Sequence, residues 1–296
     1  MSDFHRSVML QEASSLLQVK KGKRYIDVTL GGGGHTLAIA KSGGVVLAID
    51  VDEEAIRFVE EKITHVAEDV RREITLCKGN FREIGQIAKR EGFTKVSGIL
   101  FDLGVSSHQF DTPSRGFSFQ REGVLDMRMD SSLAVTAKDL INGLSKKELA
   151  KLFEKYGEEP FSNKIADCIV EARSMQPIET TRDLAFIIER RMGKSGGMHP
   201  ATRVFQALRI AVNDELHALE EALSASLQLI GVGGRIVVIS FHSLEDRIVK
   251  HRFSSFADQG FGSILTKKPV TPTLEEVAEN PRARSAKMRV FERGTV

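Results

Sequence analysis

The sequence has no tryptophan, two tyrosines, two cysteines and seven prolines in 296 residues. Cys77 and Cys168 cannot build a disulfide framework, and neither stands in a C-x-x-C pair, so a reducing compartment is expected and a cysteine metal site is not. None of the eight histidines falls in an H-E-x-x-H pattern, and no protein-held metal is expected. No apolar run approaches the roughly 18 residues of a membrane span, and Met1–Arg6 lacks the charged start and apolar core of a signal peptide. A cytoplasmic chain without membrane contact is the expectation. Net charge is scarce too: 42 Lys and Arg against 40 Asp and Glu leave +2, which excludes a uniformly basic coat for a polyanion.

What is present is an ordinary globular composition, 41% apolar and 28% charged, long enough for one large domain or two smaller ones. Short β-rich runs at Tyr25–Thr29, Val45–Asp50, Ile74–Lys78 and Gly98–Leu103 alternate with helical stretches such as Glu53–Glu68, the pattern of a parallel α/β sheet. From about Arg115 to Pro200 only helical periodicity remains, at Ala137–Tyr156, Ser162–Met175 and Thr181–Met192. A long amphipathic helix is expected from Ala201, with Leu208, Val212, Leu216, Leu219, Leu223, Leu227 and Ile230 on one stripe, ending at the glycines 231, 233 and 234. Strand patterns resume at Arg235–Ser240, Ile264–Lys268 and Lys287–Glu292. The expected organisation is a sheet domain made of residues 1–114 and 201–296, interrupted by a helical domain over 115–200.

The most informative local feature is Asp27-Val28-Thr29-Leu30 followed by the four glycines 31–34, His35 and Thr36, where the first strand gives way to a helix. Glycines there allow a tight turn and close approach of a ligand to the backbone. Asp50 ends the second strand 19 residues after Gly31, where a carboxylate accepts hydrogen bonds from both hydroxyls of an adenosine ribose. A dinucleotide fingerprint fails at its sixth place, occupied by Thr36 or Leu37. A phosphate loop ending in Gly193-Lys194-Ser195 fails because Ile188 stands where its first glycine belongs. S-adenosylmethionine carries no pyrophosphate and suits the remaining pattern, with Asp27 placed near its ammonium. Asp102 closes the fourth strand at the edge where ligands of open α/β sheets sit. Phe81, just past the third strand, is either a core ring or the cover of an adenine.

Six segments occur in order: Gly31–His35, Asp102–Gln109, Arg115–Phe119, Leu125–Asp130, Ser240–Arg247 and Glu279–Ser285. Together, and over nearly the whole chain, they resemble the MraW family of ribosomal RNA methyltransferases. The resemblance implies a class I, Rossmann-like S-adenosylmethionine-dependent methyltransferase sheet with an inserted all-helical domain that serves substrate recognition. It also implies methylation of the exocyclic N4 of a cytidine in the decoding centre of bacterial 16S rRNA, within the small ribosomal subunit. By motif, the cofactor contacts carry over to Gly33, Gly34, His35, Asp50, Phe81, Asp102 and Gln109. There are two departures: His5-Arg6-Ser7-Val8-Met9 replaces the family's His-x-Pro-Val-Leu opening, and His108 stands where a proline is expected, which argues against His108 as a base.

Cytosine N4 is a poor nucleophile because its lone pair is delocalised, so an acceptor for the amino hydrogens is needed. Base-nitrogen methyltransferases often carry Asp-Pro-Pro-Tyr after the fourth strand, whereas this chain reads Asp102-Leu103-Gly104-Val105. The candidate catalytic residues are therefore Asp102 together with His242 and Ser243 of the second strand-end motif. His242→Ala is expected to spare cofactor binding and lower transfer about tenfold or more. For RNA phosphates the sequence offers Lys20–Arg24, the segment Asn280–Val296 with Arg282, Arg284, Lys287, Arg289 and Arg293, and also Arg115, Arg121 and Arg128. Two alternatives stand beside this reading: a methyltransferase of the same fold acting on a protein or small molecule, and a non-catalytic RNA-binding assembly factor.

Overall fold

The computed structural model describes residues 7–193, 197 and 199–295; the His5 opening and most of Gly193–Ser195 lie outside them. The chain divides into two compact units, one of residues 7–106 and 216–295 and one of Ser107–Glu215.

The first unit is a seven-stranded sheet. Its strands are β1 (Arg24–Asp27), β2 (Val45–Asp50), β3 (Ile74–Lys78), β4 (Val96–Asp102), β5 (Ile230–Ser240), β6 (Gly262–Ile264) and β7 (Lys287–Arg293), in the order β3-β2-β1-β4-β5-β7-β6. Pairs among β1 to β5 are parallel, and β7 runs antiparallel to both neighbours. The parallel strands are nearly continuous apolar runs because both faces are covered. Ile26, Leu47, Ile99, Phe101, Ile236 and Val238 face the helices Ile84–Arg90, Glu215–Leu229 and Ser243–Asp258. Tyr25, Val46, Leu100, Val237, Ile239 and Met288 face the helices Leu10–Leu17 and Gly34–Lys41. This is a three-layer α/β/α unit whose chain reverses strand order between β1 and β4, and crevices form at such a reversal, at the carboxyl ends of the strands.

The second unit contains the helices Ser107–Asp111, Ala137–Gly143, Lys146–Gly157, Ser162–Met175, Thr181–Met192 and Thr202–Asn213, and no strand element among its described residues. Three helix starts are reciprocal capping boxes, Thr136 with Asp139, Ser145 with Glu148 and Thr180 with Asp183, which satisfy otherwise orphaned amide groups. The helical periodicity read over Ala137–Tyr156 is carried by two helices, the first ending at Gly143 and the second opened by the Ser145 cap.

A correction concerns the long helix from Ala201. It breaks at Asp214, which adopts φ 49°, and residues 202–213 and 215–229 form separate helices in different units; Ile230 already belongs to β5. The first of the two packs on Lys146–Gly157 so closely that a side-chain carbon at Gly157 would lie 2.6 Å from the Arg203 carbonyl oxygen. Gln206 adds a hydrogen bond to the Tyr156 carbonyl at 3.1 Å. The helical unit accordingly runs from Ser107 to Glu215 rather than from 115 to 200.

Candidate active site

Asp27 ends β1 and is completely buried. Its carboxylate accepts from the Thr29 amide at 3.2 Å and from the Thr36 hydroxyl at 2.7 Å, so it ties the strand end to the first turn of the following helix. Burial pushes this carboxyl up to about 6, against the field of His35 and the Thr36 hydrogen bond. The turn between them uses Gly31 at φ 48° and Gly33 at φ 73°. A side-chain carbon on Gly33 would also meet Val59 at 2.9 Å, and one on Gly34 would collide with the Ser7 hydroxyl. Gly33→Ala is expected to cost about 1–2 kcal/mol of stability, read as a lower midpoint in chemical denaturation, because left-handed strain and contact with Val59 act together.

Asp50 at the end of β2 receives the Gly31 amide at 2.8 Å and the Asp52 amide at 2.9 Å, which latches the glycine turn onto the second strand. Loss of hydration raises its carboxyl to about 6 despite those two amides. A carboxylate offers about four lone-pair positions, and two donors leave room for two more. Lys62 closes the other side of the turn, donating to the Gly32 carbonyl at 2.8 Å.

Across the strand-order reversal stands Asp102. Its amide donates to the Thr29 hydroxyl at 2.7 Å, and its carboxylate Oδ2 lies 3.4 Å from His35 Nε2, with both side chains buried. Burial alone would lower the His35 pKa, but the hydrogen bond to Asp102, the charges of Asp102 and Asp27, and the Val8 backbone outweigh it, so the imidazole is held above its ordinary value. The glycine turn and the two aspartates thus form one hydrogen-bonded cluster, Thr36–Asp27–Thr29–Asp102–His35. Thr29 and Thr36 stand in the glycine-turn motif, but the sequence reading gave neither of them a role in the site. Their signal was the spacing Asp27-x-Thr29, since an aspartate bonding the backbone two residues on is a recurrent turn.

Phe81 opens a short turn capped by Asn80, and its half-buried ring meets Phe101 edge to face, with centroids 6.2 Å apart and planes at 72°. Part of the ring is thus core, and the remainder reaches the surface. β5 lies beside β4, with Asp102 registered opposite Ile239, so the Ser240–Arg247 motif leaves the sheet on the same edge as Asp102. There His242 caps the helix Ser243–Asp258: its Nδ1 accepts the Glu245 amide at 3.4 Å while Nε2 lies 3.2 Å from Glu245 Oε1. Glu245 in turn receives the amides of Phe241 and His242. Ser243 is exposed on the first turn. His242→Ala is therefore expected to lower stability by about 1 kcal/mol through loss of the cap, alongside the tenfold fall in transfer. Thermal melting and a single-turnover assay separate the two effects, and unchanged transfer removes His242 from the chemistry.

Gln109 is buried on the short helix Ser107–Asp111 of the second unit, and His108 precedes it. The arginines at the start of that unit are engaged within it. Arg115 donates to the carbonyls of Arg128 and Met129, Arg121 to that of Asp111, and Arg128 grips Asp126 with two nitrogens at 2.8 Å. The basic run Lys20–Arg24 sits at the amino end of β1, the edge of the sheet away from the glycine turn, and its Gly22 amide bonds the Gly43 carbonyl.

A sheet of this order with one reversed strand, a glycine turn after β1 and an acid closing β2 is that of a class I S-adenosylmethionine-dependent methyltransferase. The chain belongs to the MraW methylase family, whose model matches residues 2–294. It is 45% identical over 292 residues to the ribosomal RNA small subunit methyltransferase H of Coprothermobacter proteolyticus, covering 98% of this chain and 96% of that protein. It is 48% identical over 308 residues to the protein of the same name from Dehalococcoides mccartyi, covering 98% and 86%. Among solved structures, an rRNA methylase from Streptococcus thermophilus is similar over 96% of this chain and 95% of that one, at 11% identity and a TM-score of 0.46. No helix among the described residues is long and apolar enough to cross a membrane.

Proposed function

We propose that this protein methylates the exocyclic N4 of a cytidine in the decoding centre of bacterial 16S rRNA, within the small ribosomal subunit. Ribosomal RNA as the substrate class is supported by the names of its full-length relatives. The observation that carries the chemistry is the placement of Asp102, a buried carboxylate oriented by His35 and Thr29, at the carboxyl edge beside the glycine turn.

The residues present fit S-adenosylmethionine: the glycines at 31–34 leave the turn clear of side chains, and Asp50 has acceptor positions left for two ribose hydroxyls. Gly33, Gly34, His35 and Asp50 would hold it, with the open part of Phe81 against the adenine and Asp102 close by. The cofactor supplies a methyl group made electrophilic by its sulfonium. Asp102 accepts a hydrogen bond from the cytosine amino group, which localises the nitrogen lone pair, and then takes the proton released when the carbon–nitrogen bond forms. His35 fixes the orientation of Asp102, the base-and-orienter arrangement of many proton-transfer sites. His242 and Ser243, on the neighbouring strand end, border the base. The target nucleotide must be unstacked to enter, and the helical unit serves substrate recognition.

Incubation with methyl-labelled cofactor and small subunits lacking the modification, followed by nucleoside analysis, is expected to give labelled N4-methylcytidine. Label found only in protein, or in no cytidine of any RNA offered, would overturn this reading.

A further inference from the structure

Glu276 stands in the first turn of the short helix Leu274–Glu279, whose start is capped by the Thr273 hydroxyl, accepting the Glu276 amide at 3.1 Å. Thr-x-x-Glu is the pattern of a reciprocal capping box, in which the acid turns back onto the amide of its own cap. Asp139, Glu148, Asp183 and Glu245 do so at the helix starts headed by Thr136, Ser145, Thr180 and His242. The Glu276 carboxylate reaches instead to the Met9 amide, at 2.6 Å and 267 positions away in the chain.

Met9 heads the helix Leu10–Leu17 with φ 51° and no side-chain cap, a left-handed conformation that a bulky residue keeps only where its surroundings enforce it. Its side chain is completely buried in the apolar cluster that also holds Val8, Ala283 and Ala286, so packing fixes the turn on one side and Glu276 fixes it on the other. This turn presents Val8 to the site. The Val8 backbone accepts a hydrogen bond from His35, whose Nε2 faces Asp102 at 3.4 Å. One residue earlier, Ser7 lies so close over Gly34 that its hydroxyl would collide with a side-chain carbon there. An acid near the end of the chain thus anchors the segment that packs on the glycine turn and its imidazole.

We propose that Glu276 is a positioning residue for methyl transfer: by holding the Met9 amide it sets Val8 against His35, and through His35 it orients Asp102. The proposal rests on the role given above to Asp102. The charged groups facing His35 are Asp102 at the end of β4 and Asp27 at the end of β1, and Glu276 acts on the imidazole through the Met9–Val8 backbone.

The test compares the full-length protein with E276A, E276Q and T273A, following the His35 titration by NMR in the free protein and the single-turnover rate with labelled cofactor and small subunits. Loss of the Met9 anchor in E276A is expected to move the His35 titration down and to slow transfer about tenfold or more with RNA saturating, the cost of a misplaced reacting group. E276Q keeps an acceptor oxygen and is expected to restore both. T273A removes the cap of the same helix but leaves the Met9 bond, so it should lower the melting temperature without moving His35. A His35 titration or a transfer rate in E276A equal to that of the original protein would overturn the anchor, as would an E276Q no better than E276A or a T273A that moves His35 as far. If E276A fails to fold, E276D carries the test, its carboxylate drawn back by one methylene; an unmoved His35 titration there overturns the proposal. The titration needs no RNA, so failure of the original protein to methylate any RNA overturns the substrate reading alone and leaves the anchor to be decided by His35.

Discussion

Asp102→Asn should lower the rate of a single methyl transfer by about 10²–10⁴-fold, the range for removing a positioned acid–base group. An asparagine keeps one acceptor oxygen and nearly the same volume, but it cannot hold the proton that leaves the amino group. It also withdraws the charge next to His35. Since Asp102 is the main influence holding that imidazole above its ordinary pKa, the His35 titration followed by NMR is expected to move down in the variant. Rapid-quench kinetics with cofactor and RNA both saturating isolates the step. A rate within threefold of the original would remove Asp102 from proton transfer and leave it a purely structural strand end.

Asp50→Ala should raise the dissociation constant for S-adenosylmethionine by about 10²-fold or more, since two hydrogen bonds to a charged acceptor are lost, each worth about 1.5–3 kcal/mol. The alanine also frees the Gly31 amide, so the turn loses its latch to β2. Calorimetric titration reads the affinity directly, and an unchanged constant would show that the ribose is held elsewhere. The raised pKa of about 6 adds a pH signature. The ribose hydroxyls are donors, so only ionised Asp50 accepts from both. Cofactor affinity is therefore expected to be flat above about pH 7 and to fall, by up to tenfold per pH unit, as the pH drops through 6. The stability of the free protein moves the opposite way for the same group. Because its folded pKa lies above the ordinary value of 3.8, as does that of Asp27, the contribution of these two carboxyls is fully present below pH 3.8 and is lost as the pH rises through 6.

Much of this was legible because the sheet announces itself in short apolar runs with clear stops. Val45–Asp50 and Ile74–Lys78 form as read, one preceded by Gly43 and Gly44 and the other followed by Gly79. The glycine turn and its two acids were legible for a related reason: each sits where a strand ends, and strand ends were the best-marked points in the chain. What escaped lacked a mark of its own. Asp214 takes a left-handed turn without being glycine, and the apolar stripe continues in phase across it, so two helices read as one. The glycines 231, 233 and 234 marked the end of the long helix, with the strand pattern read only from Arg235, yet β5 runs through them because Ile230 pairs with Val96 before the register shifts. The arginines chosen as RNA contacts carry the right charge, but charge does not reveal a partner. Arg128 turned to Asp126, and Arg289 to Asp246, which lies 43 positions away in the chain.

The route of the chain through the sheet also bears on how the protein is made. β4 ends at Asp102 and β5, which completes its hydrogen bonding, begins at Ile230, with the helical unit encoded between them. At about 5–20 residues per second, the roughly 130 intervening residues take about 6–25 s to emerge from a ribosome. Throughout that interval Ile99, Leu100 and Phe101 lie on an open strand edge, the geometry through which nascent chains pair with one another. A sheet interrupted at its centre thus makes its own synthesis the period of greatest exposure to aggregation, and slower translation of residues 107–215 lengthens it.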